Sequence, residues 1–97
     1  MMKFNAPKIL IEWILNNNKL SNVVAEISIK YITNEGKKSV ITLETKELLY
    51  SITLWDTGML SLILMNALSL SETKSIDVEC QSKEDILRNL DRFIKKL

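Results

Sequence analysis

The sequence predicts an α+β fold: a five-stranded antiparallel meander sheet with an N-terminal and a C-terminal helix packed on one face. Three observations carry this expectation. Between Asn22 and Cys80 most runs alternate apolar and polar side chains with a period of two, the signature of half-buried strands. Short turn signals built on Asn, Asp and Gly separate those runs, so each strand pairs with its predecessor. The two ends carry apolar residues at helical spacing instead. At 97 residues the chain is one domain, 1–97, and two helices cover one face of such a sheet. The other face is left to solvent or to a partner.

Met1 to Asn5 reads as a loose lead-in. Pro7 suits the first turn of a helix, where its missing N–H costs nothing, and Lys8 to Asn17 continues it. Ile9, Leu10, Ile11, Trp13, Ile14 and Leu15 make most of its circumference apolar, so it is covered on two sides or touches a partner. Asn16-Asn17-Asn18 ends it, since asparagine tolerates the left-handed C-cap. Asn22 to Thr33 then alternates, with Val23, Ala25, Ile27, Ile29 and Tyr31 on one face and Val24, Glu26, Ser28, Lys30 and Ile32 on the other. Asn34-Glu35-Gly36 is the turn, and Ser39 to Thr45 returns. Closing the loop there sets Ile29 opposite Ile41 and Ile27 opposite Leu43. It also sets Glu26 near Glu44 on the outer face, where two carboxylates across a ladder repel.

A short connection from Glu44 to Glu47 leads into the central hairpin, Leu49 to Met65, with Asp56-Thr57-Gly58 at its tip. Gly58 supplies the positive φ that closes a three-residue loop, and Asp56 is a turn initiator. That loop sets Trp55 against Met59, Leu54 against Leu60, Ile52 against Leu62 and Tyr50 against Leu64. Tyr50, Ile52, Leu54, Leu60, Leu62 and Leu64 are therefore core, and Leu49, Ser51, Thr53, Trp55, Met59, Ser61, Ile63 and Met65 form a mixed opposite face. The pattern blurs at Asn66-Ala67 and Ser69, which reads as a bulge or bend, and Ser71-Glu72-Thr73 reads as a further turn. Ser75 to Cys80 sends Ile76, Val78 and Cys80 inward and Asp77 and Glu79 outward. Ser82 N-caps the last helix, with Asp85 as the acidic partner of a capping box. Ile86, Leu87, Leu90, Phe93, Ile94 and Leu97 line one face of that helix, and Arg88, Asp91, Arg92 and Lys95 the other. Glu84 and Asp85 suit the positive end of the helix dipole, and Lys95 and Lys96 its negative end.

Composition removes several function classes. Thirteen Lys and Arg against 12 Asp and Glu leave a net charge of +1, without the basic field that nucleic-acid binders use. The basic residues are scattered, and no strand interleaves aromatics with Lys or Arg. Histidine is absent, and with it the commonest general base and metal ligand. The lone Cys80 lies on the inward face of a strand, the position of a core residue rather than a nucleophile. It cannot form an intrachain disulfide, which suits a reducing, cytoplasmic location. Glycine spacing gives neither a phosphate loop nor a dinucleotide fingerprint. The carboxylate pairs Glu26/Glu44 and Asp77/Glu79 lie on an open sheet face, without the burial that tunes a catalytic acid. The residues therefore point to no enzyme, no cofactor, no metal and no direct nucleic-acid partner. Neither a leader nor a membrane span is read from MMKFNAPKIL or from the rest of the chain.

Sorting charge by expected face leaves one asymmetry. The outer sheet face and its rims carry Glu26, Glu44, Asp56, Glu72, Asp77 and Glu79 against Lys30 and Lys38, whereas the exposed side of the last helix is mainly basic. Trp55, Met59, Ile63 and Met65 sit in the middle of that acidic face. Aromatic and Met anchors ringed by charge match the anatomy of a protein interface. Ordinary outer-face strand residues, or the contact of a homodimer, are the other readings. The candidate partner-binding set is Glu26, Glu44, Trp55, Asp56, Met59, Ile63, Asp77 and Glu79.

The run ITLETKELLYSITLWDTGMLSLILMNALS, followed by a turn, a short alternating strand and SKEDILRNLDRFIKKL, resembles the TriTu group of small bacterial immunity proteins. The features that carry the resemblance are Trp13 in the N-terminal helix, the W-[D/E]-x-G turn at Trp55, Asp56 and Gly58, the strand after that turn, and a final helix introduced by Ser82 and Glu84. The chain departs from the family pattern in being almost wholly apolar over Met59 to Met65, where relatives are more acidic. The resemblance implies a cytoplasmic protein that binds the C-terminal domain of a cognate polymorphic toxin, including toxins of contact-dependent growth inhibition. Many such toxins are nucleases, and inhibition would cover an active site or groove. The alternative is a small structural or adaptor subunit that homodimerises through its open sheet face.

Overall fold

The computed structural model describes residues 4–17, 20, 24–32, 36–69 and 71–95, with residues 24–32, 36 and 72 placed as backbone alone. The class is α+β, as the two periodicities imply: two helices and an open antiparallel sheet. In chain order the elements are α1 (Ala6–Leu15), β1 (Val24–Ile32), β2 (Gly36–Glu44), β3 (Leu48–Trp55), β4 (Met59–Asn66), β5 (Glu72–Glu79) and α2 (Lys83–Phe93). Each strand pairs antiparallel with its chain neighbour, in the order β1-β2-β3-β4-β5. Among the described residues no helix is long and apolar enough to cross a membrane.

One face of the sheet is built in cross-strand rows. Ile41, Ile52, Leu62 and Ile76 align in the first, Ser39, Leu54, Leu60 and Val78 in the second, and Leu43, Tyr50 and Leu64 in the third. Ile41, Leu43, Tyr50, Ile52, Leu54 and Leu60 are fully enclosed. Both helices press on this face: Ala6, Ile9, Leu10 and Trp13 from α1, and Ile86, Leu90 and Phe93 from α2, belong to the same cluster. Phe93 meets Tyr50 edge to face, with centroids 5.3 Å apart and planes at 87°. Each aliphatic side chain buried in this way contributes about 1.5–3 kcal/mol relative to exposure. The central hairpin has the expected register: Leu54 pairs with Leu60, Ile52 with Leu62 and Tyr50 with Leu64.

Capping sets the helix boundaries. The Asn5 side chain accepts from the Lys8 amide at 3.3 Å, and Pro7 sits in the first turn of α1, where it displaces no intrahelical bond. The Ser82 hydroxyl accepts from the Asp85 amide at 3.1 Å, while Asp85 accepts from the Gln81 amide at 3.2 Å. The reciprocal half of the capping box thus closes one residue earlier than the standard motif. α1 ends on Asn16 with φ −93° and ψ 4°, so the expected left-handed cap is not used.

Four further expectations change. Phe4 and Asn5 are not a loose lead-in, because the Phe4 amide donates to the Asp56 carbonyl at 2.8 Å and its side chain packs on the core. β1 is displaced by two residues along β2: Ile27, not Ile29, opposes Ile41, and Ala25 opposes Leu43. Gly36, expected in the turn, is already a strand residue paired with Ile32. A two-residue slip keeps every residue on its face, so the hydrophobic pattern could not select between the registers. As a result Glu26 opposes Thr42 and Glu44 opposes Val24, and the expected facing carboxylate pair is not formed in register. Finally, β5 begins at Glu72 rather than Ser75. The turn comes earlier, where the Asn66 side chain accepts from the amides of Leu68 and Ser69 at 2.9 and 3.1 Å. The ladder shifts between Leu64 and Met65, and the Thr73 hydroxyl donates to the Leu64 carbonyl at 3.0 Å. The expected turn residues Asn34 and Glu35 lie outside the described residues, as do Met1 to Lys3, Asn18, Asn22, Val23, Thr33, Lys96 and Leu97.

Gly58 has φ +101°, as the hairpin turn requires. A Cβ there would lie 2.6 Å from the Cys80 carbonyl oxygen and 2.8 Å from a Phe4 ring carbon. Gly58→Ala is expected to destabilise the fold by about 3 kcal/mol, combining backbone strain with overpacking, whereas Thr57→Ala in the exposed turn changes stability by less than about 0.5 kcal/mol. Urea denaturation of both variants checks this, and a loss below about 1 kcal/mol for Gly58→Ala would contradict it.

Candidate functional site

With both helices packed on one face of the sheet, the opposite face is open. Its rows follow from the same register. Lys38 pairs with Trp55, and Met59 with Glu79, at the end that carries the Asp56 turn. Next come Val40, Thr53, Ser61 and Asp77, then Thr42, Ser51, Ile63 and Ser75, then Glu44, Leu49, Met65 and Glu72. Short hydroxyl side chains fill the middle, and the larger apolar groups lie to either side of it. Met59 is 38% exposed. Trp55, Ile63 and Met65 are half-buried, and Glu44, Asp77 and Glu79 are exposed.

Seven of the eight residues selected from sequence fall on this face by register. Trp55, Met59 and Glu79 share its turn end, Asp77 and Ile63 lie along β5 and β4, and Glu44 stands at the far rim. Glu26 is placed by backbone register alone, opposite Thr42. Asp56 is the exception and a correction. It is 8% exposed, its amide donates to the Lys37 carbonyl at 3.0 Å, and its carboxylate accepts from the Lys37 amide at 3.4 Å. A turn acid whose oxygens close onto the adjacent strand start is committed to the fold and is not a rim charge.

Lys38 is the residue that the pattern did not single out. Its ammonium lies 5.5 Å from the centroid of the Trp55 ring, a cation–π contact worth about 0.5–1 kcal/mol at an accessible site. The indole Nε1–H is enclosed, and among the described residues it has no hydrogen-bond acceptor. The contact depends on the β2–β3 register, which the spacing of residues did not define.

The helix side holds a concavity of about 240 Å³ between α1 and α2, lined in part by Ile9, Trp13 and Leu87. Four of its polar groups pair across it. The Trp13 indole donates to Asp91 at 3.0 Å, and Lys83 bridges to Glu12 at 3.3 Å. Asp91, expected as plain helix surface, is therefore a clamp between the helices. Cys80 is buried at the end of β5, with the Asn89 amide nitrogen 4.0 Å from its sulfur. Burial, reinforced by the nearby Asp85 carboxylate, raises its thiol pKa, which opposes formation of a nucleophilic thiolate. Among the described residues no three metal-ligating side chains converge.

Comparison with known protein families, curated proteins and solved structures finds no match.

The raised Cys80 pKa has a consequence for stability. Above its ordinary value of 9.0 the unfolded thiol loses its proton while the native one keeps it. The native state then binds more protons, so stability falls as pH rises through that range. Tyr50, raised from 10.0 by burial, adds to the decline at higher pH. Urea midpoints measured from pH 8 to 10.5 are expected to fall less steeply for Cys80→Ala than for the wild type, and parallel curves would contradict the assignment.

Proposed function

We propose that this chain is an immunity protein of the TriTu kind, a binding protein rather than an enzyme, that neutralises the C-terminal domain of a cognate bacterial toxin. The observation that supports this most is the open sheet face, where Trp55, Met59, Ile63 and Met65 lie between acidic rims at Glu44 and at Asp77 and Glu79. Such a face resembles an interface more than a solvated surface, because it concentrates a Trp and Met anchors between charges. The architecture behind it packs both helices on the opposite side of the sheet and leaves this face uncovered by them.

In this reading the face docks over the toxin's active site or entry groove. Many toxins of contact-dependent inhibition are nucleases with basic clefts. Acidic side chains there compete for positions that phosphates occupy, and they accelerate encounter by steering. No cofactor is needed, and the reaction partner is a protein in the cytoplasm. The same apolar patch also favours a second reading, a structural or adaptor subunit that homodimerises through the sheet.

The proposal predicts a toxin gene immediately upstream, and co-expression with its C-terminal domain tests it. Growth rescue by the wild type is expected, with loss of rescue when Glu26, Glu44, Asp77 and Glu79 are charge-reversed together. Cell death despite abundant soluble wild-type protein defeats the immunity reading, and unchanged rescue by the reversed variant defeats the acidic-face mechanism. Sedimentation at micromolar concentration separates the second reading, since a monomer leaves the sheet face free for a toxin.

A further inference from the structure

Charge on the open face is separated by sign along its turn-end row. β1 and β2 bring Lys30 directly opposite Lys38, β3 adds Trp55, and β4 and β5 add Met59 and Glu79. Carboxylates repeated two residues apart on one strand face, as with Asp77 and Glu79, repel each other. Neither end relieves the other. Three strand spacings separate Lys38 from Glu79, roughly 14 Å, which exceeds the screening length of about 8 Å in physiological salt. Among the described residues Lys38, Asp77 and Glu79 take part in no ion pair.

The two ends ask for opposite chemistry. At the β2–β3 corner a lysine ammonium lies over the Trp55 ring. An accessible ammonium suits a carboxylate or a carbonyl oxygen. At the β5 edge two exposed carboxylates suit a cation. The Trp55 ring and the exposed Met59 side chain lie between.

We infer that the open face recognises a bipolar protein surface. That surface sets an acidic side chain at Lys38 and a basic one at Asp77 and Glu79, roughly 14 Å apart, with an apolar side chain over Met59 between them. This rests on the toxin-binding reading and specifies the charge arrangement of the partner: a uniformly basic cleft would match the β5 edge and clash with Lys38. The row also has a direction, so it selects one docking orientation and penalises the reversed one.

Calorimetric binding to the toxin domain encoded immediately upstream tests this with Lys38→Glu, Lys38→Met and Glu79→Lys. Lys38→Glu and Glu79→Lys are each expected to weaken binding at least tenfold, and less so at 0.5 M salt. Lys38→Met keeps an apolar stem over Trp55 without the charge and is expected to weaken binding at least threefold. Tighter or unchanged binding by Lys38→Glu, the result a uniformly basic partner gives, overturns the bipolar arrangement and leaves toxin binding standing. If Lys38→Glu does not fold, Lys38→Met decides, and unchanged affinity in that variant overturns the inference. A wild-type chain that does not bind the toxin domain at micromolar concentration overturns both proposals.

Discussion

The turn from Trp55 to Gly58 is the constraint on which the rest of the structure depends. Backbone bonds from three other parts of the chain converge on it. The Phe4 amide donates to the Asp56 carbonyl at 2.8 Å, the Asp56 amide donates to Lys37 at 3.0 Å, and the Cys80 amide donates to the Gly58 carbonyl at 2.8 Å. The approach is close enough that only a residue without a Cβ fits at position 58. One tight turn thus fixes the entry to α1, the start of β2, the central hairpin and the exit from β5 toward α2. Asp56 is consumed in this task, which is why an acid beside a tryptophan is not part of the charged face.

That anchoring divides the molecule into two faces with different obligations. The inner rows are mainly aliphatic and closed by both helices, and among the described residues two enclosed hydroxyls there, Ser39 and Tyr50, lack partners. An unmade hydrogen bond of this kind costs about 1–3 kcal/mol, small beside the apolar burial around it. The outer face carries the opposite character. Hydroxyls share its middle with Val40 and Ile63, and its turn-end row runs from Lys38 on β2 to Glu79 on β5, while Glu44 stands at the far rim of β2. Edge pairing at β5 is discouraged by its ladder shift, by its acids, and by Lys74, which stands on an inward register position yet is exposed. Association through the plane of the sheet, rather than by adding a strand to β5, is the mode these features leave open.

Much of this was legible in the sequence because the central hairpin states its own register. A positive-φ glycine, a three-residue loop and strict alternation agree, and they place Leu54 on Leu60 and Tyr50 on Leu64. The slip of β1 along β2 was not legible, because a shift of two residues preserves every face and only the loop length distinguishes the alternatives. The same limit hid the Lys38–Trp55 contact, which needs a register between strands joined by a less defined turn. The inward role of Asp56 and the Trp13–Asp91 clamp depend on where remote segments arrive, and no local periodicity encodes that. What spacing recovered was the membership of each face, and seven of the eight chosen site residues therefore lie on the open face by register.

The central claim is that the open sheet face, anchored at one end by the Asp56–Gly58 turn, is the surface that meets the proposed partner. Hydroxyl-radical footprinting of the chain alone and bound to the proposed toxin partner tests it most directly, since methionine and tryptophan report side-chain access. The account predicts protection of Met59, Met65 and Trp55, with oxidation unchanged at Leu15, which is 76% exposed on α1. Protection of Leu15 and Ile11 with Met59 and Met65 unaltered would place the partner on the helices and contradict it.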